Sequence, residues 1–573
     1  MLQIRKLYTE PELIDPVEFD SGLNCIFGER DDSSSKNNGV GKSLCVEFID
    51  FALLKQKGNS RVSKIPKENF PTDTKICLDI LIDNIECTIK RSIAESENPL
   101  IIFDGREIKF VKLDDATLFL TEKLFGGDKL DRPRFREVLA PLIRDEKSEF
   151  KSLTGCFDTD LRVPDNYAPH LFFLGIKISI YKSIKENIKE LDDLSAEIKR
   201  IEENVLLLRR KEVVDARSDM NELDNEVAMI SLNIEKLENT AGFELVRNDL
   251  LKLEEEIEKF RRKKAIIKNS LSKLKPVSEK VEIEPDEIRD FYNQLKLGLG
   301  DLVSKDLVEV LGFKRKIEQF QNHLLVERKE TLSSELKFVN DNLRLLDKQY
   351  SDSLRILDKE GSLKNLKQTY SAFQAKSDEL GQLRSFIVRY DDLIVQKQKA
   401  KSEKEAKLLE LQGSITTARE TIKSFEQTIL NIHDFIQGNR KASFDIKPTS
   451  KKQVVEIIMR IDDDGSHSVD REKVFIYDFS LLTNHLTSQR HTGLLIHDNI
   501  FEVDQDTLEN SLKYLVDEAQ LSDKQQYILT LNSDRLESFK EESWYETLDG
   551  VVRARYTKAH RFLKIKYQQT GKS

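Results

Sequence analysis

The strongest fold signal in this sequence is the segment Asn37-Asn38-Gly39-Val40-Gly41-Lys42-Ser43. It follows a predicted strand, residues 23–27, and precedes the apolar run of residues 44–54, which is typical of a buried helix. A strand, a glycine-containing loop with Lys-Ser and a helix together form a phosphate-binding P-loop. In such a loop the backbone N–H groups and the helix N-terminus face phosphate oxygens. The alternative is a surface Gly-Lys-Ser with no role in phosphate binding.

The P-loop motif predicts a nucleotide site that binds ATP with Mg²⁺. Lys42 is expected to reach the β- and γ-phosphates, and the Ser43 hydroxyl to coordinate Mg²⁺. The common pattern has a glycine five residues before Gly41, where this sequence has Lys36, so we expect extra residues between the strand end at Gly28 and the loop. The predicted nucleotide-binding residues of this segment are Asn38, Gly39, Val40, Gly41, Lys42, Ser43 and Leu44.

The composition indicates several domains and much exposed helix. The chain has 573 residues, 34% of them charged and 39% hydrophobic. A net charge of −10 argues against a uniformly basic nucleic-acid binder but permits a local basic patch. Residues 1–6 have no signal-peptide apolar core, and the apolar run of residues 170–178 is too short to span a membrane. We therefore expect a cytoplasmic protein without membrane contact.

Residues 177–437 show the apolar periodicity of a coiled coil. Steps of three and four residues predict helices with one apolar stripe facing a partner helix. The first stripe comprises Ile184, Ile188, Leu191, Leu194, Ile198, Ile201, Val205 and Leu208, and the returning stripe Leu408, Leu411, Ile415, Ala418, Ile422, Phe425, Ile429, Ile432 and Ile436. We expect these limbs to pack antiparallel. Their charged residues are interpreted as solvated faces rather than as a DNA-binding surface.

Breaker residues divide this arm and set the predicted domain boundaries. Pro276, Pro285 and the glycines of residues 298–300 predict a tip, while residues 239–242 and 359–362 predict bends. The expected domains are residues 1–176 (N-terminal head half), 177–275 (ascending limb), 276–315 (tip), 316–437 (descending limb) and 438–573 (C-terminal head half).

A second half of the nucleotide site is predicted in the C-terminal region. Residues 493–498 form a buried-strand pattern that ends in Asp498. A P-loop ATPase requires such a Walker B carboxylate beside the P-loop, where it holds Mg²⁺ together with Ser43. The heptad region between the two halves argues against a P-loop kinase or GTPase.

The order of these motifs resembles that of SMC, RecN and SbcC-type ATPases. The motif order and the sequences of residues 477–482, 496–498 and 530–532 are together similar to one bacterial subgroup of these ATPases. That subgroup is known for a C-terminal domain of unknown function in SMC-like ATPases of ABC three-component and anti-phage operons. The resemblance implies an α/β ABC-type ATPase head, split into N- and C-terminal halves, with an inserted long antiparallel α-helical coiled coil. It also implies ATP and Mg²⁺ as cofactors and a homodimer whose heads close around ATP.

Some positions differ from the pattern of that family. Asn499 occupies the position of the catalytic glutamate, and an amide cannot accept a proton from water. The resemblance therefore implies slow hydrolysis, with Glu502 or Asp504 as a substitute base. The expected catalytic residues are Lys42, Asp498, Asn499 and Glu502.

Three further family elements are weak in this sequence. Asp504 or Asp506 is expected to be the D-loop aspartate, and Asn532 to occupy the position of the switch histidine. Ser468 is the candidate for the signature serine that caps the partner's γ-phosphate, with a helix N-cap as the alternative. Residues 134–139, where a Q-loop is expected, contain no glutamine.

The C-terminal segment Val551 to Ser573 contains seven Lys or Arg residues and no acidic residue. Residues 563–567 alternate and predict a strand with a basic face. Its lysines would either protect a sheet edge or contact a DNA backbone.

Two functional hypotheses follow. The first is an SMC-like ATPase that senses or engages double-stranded DNA in bacterial genome maintenance or anti-phage defence. The second is a weakly hydrolysing, ATP-gated scaffold that holds an effector, such as a nuclease from the same operon. The two phosphate-site halves argue against a purely structural coiled coil.

Overall fold

The computed structural model describes residues 1–30, 39–126, 131–156, 166–238, 247–274, 307–357, 362–462 and 467–566. For residues 236–238, 247–249, 251, 307–325, 353–357, 362–368, 467 and 468 it describes only the backbone. The described residues form two compact units. The first is drawn from Met1–Ile188 and Lys404–Ser573, and the second from Lys189–Asp286 and Lys305–Glu403. None of the described helices is long and apolar enough to cross a membrane.

The strands are β1 (Leu2–Glu10), β2 (Val17–Glu18), β3 (Gly22–Gly28), β4 (Lys75–Ile82), β5 (Ile85–Ser92), β6 (Leu100–Phe103), β7 (Arg106–Lys109), β8 (Ile143–Arg144), β9 (Ser443–Pro448), β10 (Val455–Arg460), β11 (Leu494–Asp498), β12 (Gln526–Asn532) and β13 (Val552–Tyr556). The helices are α1 (Lys42–Ala52), α2 (Leu113–Phe125), α3 (Phe135–Leu142), α4 (Ala168–Phe173), α5 (Ile178–Arg209), α6 (Val213–Glu238), α7 (Arg247–Lys273), α8 (Leu307–Leu357), α9 (Ser362–Thr417), α10 (Arg419–Gln437), α11 (His467–Thr483), α12 (Gln505–Lys513) and α13 (Ser543–Gly550).

Strands from both ends of the chain form one parallel sheet in the first unit. Its order is β13-β3-β12-β11-β8, and every neighbouring pair is parallel. Alternate side chains point to opposite faces of a strand. Accordingly, Cys25 and Phe27 join one hydrophobic core while Ile26 joins the other. The sheet is therefore buried on both faces, as parallel sheets are.

A second, antiparallel sheet covers one side of α1. Its order is β2-β1-β4-β5-β6-β7. The β4–β5 hairpin turns at Asp83 and Asn84, whose φ angles of 49° and 66° are typical of a type I′ turn. Ten of the 11 residues of α1 are buried, because the helix shares a core with this sheet and with one face of the parallel sheet. That burial fixes the position of its N-terminus.

The second unit contains α6, α7, α8 and parts of α5 and α9. Ion pairs show that α5 and α6 both run antiparallel to one stretch of α9. These pairs are Glu197–Arg389 and Arg209–Glu379 for α5, and Arg217–Asp391 and Glu226–Lys376 for α6. The ascending limb therefore has a break that was not predicted. It breaks after Arg209, where Arg210 has a φ of 53°, and the predicted stripe residue Leu208 is 53% exposed because the helix ends there.

The other arm expectations have mixed outcomes. The predicted bends at residues 239–242 and 359–362 lie outside the described residues, apart from Ser362, the first described residue of α9. Most of the predicted tip lies outside the described residues, although α8 begins at Leu307 within it. All nine residues of the returning stripe belong to the core of the first unit: seven are buried there, and Leu408 and Ile422 are partly buried against it.

Candidate nucleotide-binding site

The P-loop glycines adopt backbone conformations that other residues disfavour. Gly39 has a φ of 82°, and Gly41, at the N-cap of α1, has a φ of 116°. A Cβ atom on Gly41 would lie 2.5 Å from the Cβ atom of Phe562. Both the left-handed backbone and the close contact therefore require glycine at position 41. Asn38 lies outside the described residues.

The Lys42 side chain crosses the end of β3. A Cβ atom on Gly28 would lie only 2.9 Å from the Lys42 Cδ atom, so a larger residue at this strand end would displace the lysine. Lys42 is 5% exposed. Its ammonium group donates hydrogen bonds to the Oδ1 atoms of Asn499, at 3.2 Å, and Asn532. A buried cation thus lies at the carboxyl ends of three parallel strands, held by two neutral amides.

Burial and neighbouring carboxylates have opposite effects on Lys42. Burial lowers the pKa of the ammonium group, and this effect is the larger one. The negative charges of Asp498, Glu146, Asp534 and Glu502 raise the pKa, in that order of strength. Because the effect of burial outweighs that of the carboxylates, further negative charge, such as that of phosphate oxygens, would stabilise the Lys42 ammonium group.

Asp498, the last residue of β11, has a fully buried carboxylate. Its Oδ1 atom accepts a hydrogen bond of 2.7 Å from the Thr530 hydroxyl, and the strand register aligns these two residues. Its Oδ2 atom is buried and has no hydrogen-bond partner in the described structure. Burial, followed by the charge of Glu146, raises the Asp498 pKa to about 6, although Thr530, Ser43 and Lys42 lower it.

These features test whether the residues fit Mg²⁺. Mg²⁺ prefers oxygen ligands and is held in nucleotide sites by one or two protein oxygens together with phosphates. Asp498 offers an unpartnered buried carboxylate oxygen, and the nearby Ser43 offers a hydroxyl. The donor set fits the ion.

Asn499 links several parts of the site. It adopts a left-handed conformation with a φ of 63°, which asparagine tolerates better than most residues. Its backbone N–H donates to the Thr530 hydroxyl at 3.0 Å. Its side-chain Nδ2 group donates to the Oε1 atom of Glu146, while its Oδ1 atom accepts from Lys42. One amide therefore connects Lys42 to the carboxylate of Glu146, which lies just after β8.

The sequence interpretation did not identify Glu146 as a site residue. It looked for a Q-loop at residues 134–139. Those residues instead include the start of α3, where Arg136 pairs with Asp50 at 2.8 Å. Glu146 follows β8, a strand of two residues at the sheet edge. Such a strand is too short to produce a periodic pattern. The only sequence signal was an acidic pair after the apolar residues Leu142 and Ile143.

The loop after β11 is held by α11. Arg471 donates to the backbone oxygen of Asn499 at 2.7 Å and pairs with Glu502 at 3.0 Å. Glu502, the predicted substitute base, is therefore engaged by a cation and 53% exposed at its side chain. Asp504 is the N-cap residue of α12 and Asp506 lies in its first turn.

The candidate signature serine lies at the start of α11. The helix begins at His467, so Ser468 is in its first turn and the N-cap alternative is wrong. The Ser468 side chain lies outside the described residues. Leu44, predicted to bind nucleotide, buries its side chain in the core and offers only its backbone N–H.

A buried ion pair fixes β8 beside β11. The Arg144 Nε atom lies 2.6 Å from the Oδ2 atom of Asp478 in α11, and that oxygen is also 3.1 Å from His497 Nε2 in β11. All three side chains are fully buried. Because a buried charge without its partner is strongly destabilising, this group holds the edge strand in register.

The C-terminal segment contacts the P-loop rather than forming the predicted strand. Residues 563–566 form no strand, because Phe562 and Leu563 pack into the core beside α1. Phe562 N–H donates to the Val40 oxygen at 3.2 Å, and Arg561 donates to the Gly39 oxygen at 2.7 Å.

Most cations of this segment have partners within the protein. Arg553 pairs with Asp20 at 2.7 Å, Arg555 with Glu29 and Asp549, and Lys564 with Asp15 at 2.7 Å. Three of the seven cations that suggested a DNA contact are therefore paired with carboxylates of the protein itself.

Comparison with known proteins places these features in context. A family model described as "Uncharacterised protein conserved in bacteria (DUF2326)" matches residues 427–567, within the region where a domain of unknown function was expected. The "Uncharacterized protein YydD" of Bacillus subtilis (strain 168) is 22% identical over 574 residues, which cover 92% of each chain.

Two solved structures are also similar to this chain. One is the Smc head domain with a coiled coil and joint from Pyrococcus yayanosii, with a TM-score of 0.33, 13% identity and 92% of each chain covered. The other is the Smc head domain with an extended coiled coil, bound to the C-terminal domain of ScpA, from Pyrococcus furiosus. It has a TM-score of 0.32 and 10% identity, and the match covers 94% of this chain and 92% of that one.

Proposed function

We propose that this protein is an ATPase that binds ATP with Mg²⁺ at the P-loop. The observation that carries the proposal is the convergence of three features at the carboxyl edge of one parallel sheet. These are the buried Lys42 ammonium group, the unpartnered carboxylate oxygen of Asp498 and the N-terminus of α1. The cation and the helix N-terminus match the negative phosphates of a nucleoside triphosphate, and the carboxylate matches its metal ion.

Each residue has a defined part in this proposal. When ATP binds, the Lys42 ammonium group exchanges its hydrogen bonds with Asn499 and Asn532 for contacts with phosphate oxygens, whose charge it neutralises. The backbone N–H groups of Gly39 to Leu44 bind further phosphate oxygens. Asp498 and Ser43 hold Mg²⁺, which polarises the transferred phosphoryl group. Gly28 leaves space for the lysine stem.

We also propose that two heads close around two nucleotides. The N-terminus of α11, which carries Ser468, is the candidate surface for the partner's γ-phosphate. Arg471 of the same helix contacts the Asn499 backbone, so closure at α11 can alter the loop after β11. The resemblance to SMC-like ATPases supports a cytoplasmic protein that senses or engages DNA in bacterial genome maintenance or anti-phage defence.

A second function, an ATP-gated scaffold that hydrolyses little, is favoured by one specific observation. The residue after Asp498 is Asn499, whose amide cannot act as a base. In this alternative, ATP holds the heads together and retains an effector, such as a nuclease, until a trigger releases it.

The test is ATP binding and steady-state phosphate release by the purified protein, with and without duplex DNA. Lys42→Ala and Asp498→Ala are the site variants. We expect both variants to lose ATP binding or Mg²⁺-dependent release. Release that DNA stimulates supports the ATPase that engages DNA, and tight binding with release no greater than in Asp498→Ala supports the scaffold. Absence of ATP binding by the unmodified protein would contradict both.

A further inference from the structure

We propose that Glu146 accepts the proton of the attacking water during ATP hydrolysis, the task that Asn499 cannot perform. This inference rests on the proposed ATPase function. The observation behind it is the juxtaposition of Glu146 with Asn499 and Lys42 at the sheet edge.

The strand register brings Glu146 to this position. β8 pairs with β11 in parallel, with Arg144 opposite His497. Glu146 lies two residues beyond Arg144, and Asn499 lies two residues beyond His497. Neighbouring strands are about 4.8 Å apart, so residues at equal offsets are neighbours. The side chains meet directly, because Asn499 Nδ2 donates to Glu146 Oε1.

The hydrogen bonds of Asn499 orient Glu146 relative to the P-loop. The same side chain that donates to Glu146 accepts from the Lys42 ammonium group at 3.2 Å. The negative charge of Glu146 acts on Lys42 and, more strongly than that of any other carboxylate, on Asp498. The Glu146 carboxylate is therefore close to the residues that bind the γ-phosphate and its metal.

The other carboxylates around Lys42 already have different partners. Glu502 pairs with Arg471 at 3.0 Å, and Asp534 pairs with Arg30 at 3.0 Å. Asp498 is the metal ligand of the proposed site. By contrast, Glu146 forms no salt bridge with any side chain that the structure describes, and its Oε1 partner is a neutral amide. Apart from the metal ligand Asp498, Glu146 is therefore the carboxylate of this group that no described cation pairs with.

The proposed step conserves atoms and charge. A water molecule gives one proton to the Glu146 carboxylate while its oxygen forms a bond to the γ-phosphorus of ATP. The bond between that phosphorus and the β–γ bridging oxygen breaks, and its electron pair leaves with ADP. Glu146 then returns the proton to the phosphate product, so the carboxylate is ready for another cycle.

The substitution Glu146→Gln tests this role in the full-length protein. General-base catalysis contributes roughly 10²- to 10⁴-fold, so we expect phosphate release to fall at least 100-fold. ATP affinity, measured with a fluorescent ATP analogue, should stay within about threefold, because the amide keeps the size of the side chain and a proton is accepted only during hydrolysis. Thermal melting checks the fold.

Glu149→Gln is the matched control. Glu149 directly follows the 3₁₀ turn Glu146–Ser148, is exposed and pairs with Lys151. The Glu149→Gln variant should release phosphate at the rate of the unmodified protein.

Each remaining outcome contradicts the inference in a recognisable way. Glu146→Gln that keeps its release rate within twofold contradicts the base assignment but leaves the ATPase function intact. If Glu502→Gln lowers the rate of phosphate release as much as Glu146→Gln does, the choice of Glu146 rather than Glu502 as the base is contradicted. Unmodified protein that binds ATP but releases no more phosphate than Asp498→Ala contradicts the base role and supports the scaffold. Failure to bind ATP contradicts the proposed function itself.

Discussion

The Asp498 carboxylate combines functional chemistry with a cost to stability. It is fully buried, one of its oxygens has no partner among the described residues, and its pKa is raised to about 6. An unfolded aspartate has a pKa of about 3.9, so the folded protein binds more protons between these pH values and its stability falls as the pH rises through them. Above pH 6, the charged form reduces the free energy of unfolding.

We therefore predict that Asp498→Asn stabilises the protein without nucleotide or metal. A pKa difference of about two units corresponds to about 3 kcal/mol, which we take as an upper limit for the gain above pH 7. The measurement is urea unfolding in EDTA at several pH values. The difference from the unmodified protein should shrink towards pH 4, because the folded carboxylate becomes protonated well above that pH and the unfolded one is about half protonated there. A variant that is less stable at pH 7.5 would contradict the burial argument.

At the scale of elements, the C-terminal segment stabilises the P-loop from outside the nucleotide site. Arg561 and Phe562 donate hydrogen bonds to the carbonyl oxygens of Gly39 and Val40 and so fix the positions of these two peptide groups. Phe562 is 2% exposed and packs edge-on against Phe48 of α1, with ring centres 5.0 Å apart. The segment is therefore part of the core beside α1.

We predict that Arg561→Ala weakens ATP binding about fivefold, because a hydrogen bond of this kind contributes about 1 kcal/mol. Titration with a fluorescent ATP analogue measures the effect. Lys566→Ala is the control, since it removes the same charge from an exposed position of the same segment. Equal weakening by both variants would indicate a general charge effect and contradict the contact.

At the scale of the whole molecule, the two units have separate hydrophobic cores. The clusters around Leu383 and Val339 contain only residues of the second unit, whereas those of the sheets contain only residues of the first. The only tryptophan, Trp544, lies in the first unit and is 3% exposed. Its fluorescence therefore reports on the first unit alone.

We predict that unfolding by urea is not two-state. Leu383→Ala should destabilise the helical transition seen by far-UV circular dichroism by about 2–5 kcal/mol, the usual cost of removing a buried leucine. The Trp544 transition and ATP binding should not change. Leu548→Ala, in the core of the first unit, should have the opposite pattern. Coincident shifts of both signals in either variant would contradict separate cores.

The accuracy of the sequence interpretation depended on how local each signal was. β3, α1 and β11 match the predicted elements, because apolar periodicity acts between near neighbours in the chain. The break after Arg209 was missed, since the heptad pattern continued to Leu208. Packing of both α5 and α6 against α9 is a long-range choice that periodicity does not encode.

The same distinction applies to the nucleotide site. The sequence alone predicted the turn and helix at Gly41, Lys42 and Ser43, because these residues form both through their own backbone. It also predicted Asp498 at a strand end. Only the tertiary structure decided which carboxylate and which cation surround these residues. Glu146 reaches Asn499 through the register of two strands whose residues are 353 positions apart, and Arg561 reaches Gly39 across 522 positions. Such contacts depend on the packing of the complete sheet, which no local pattern specifies.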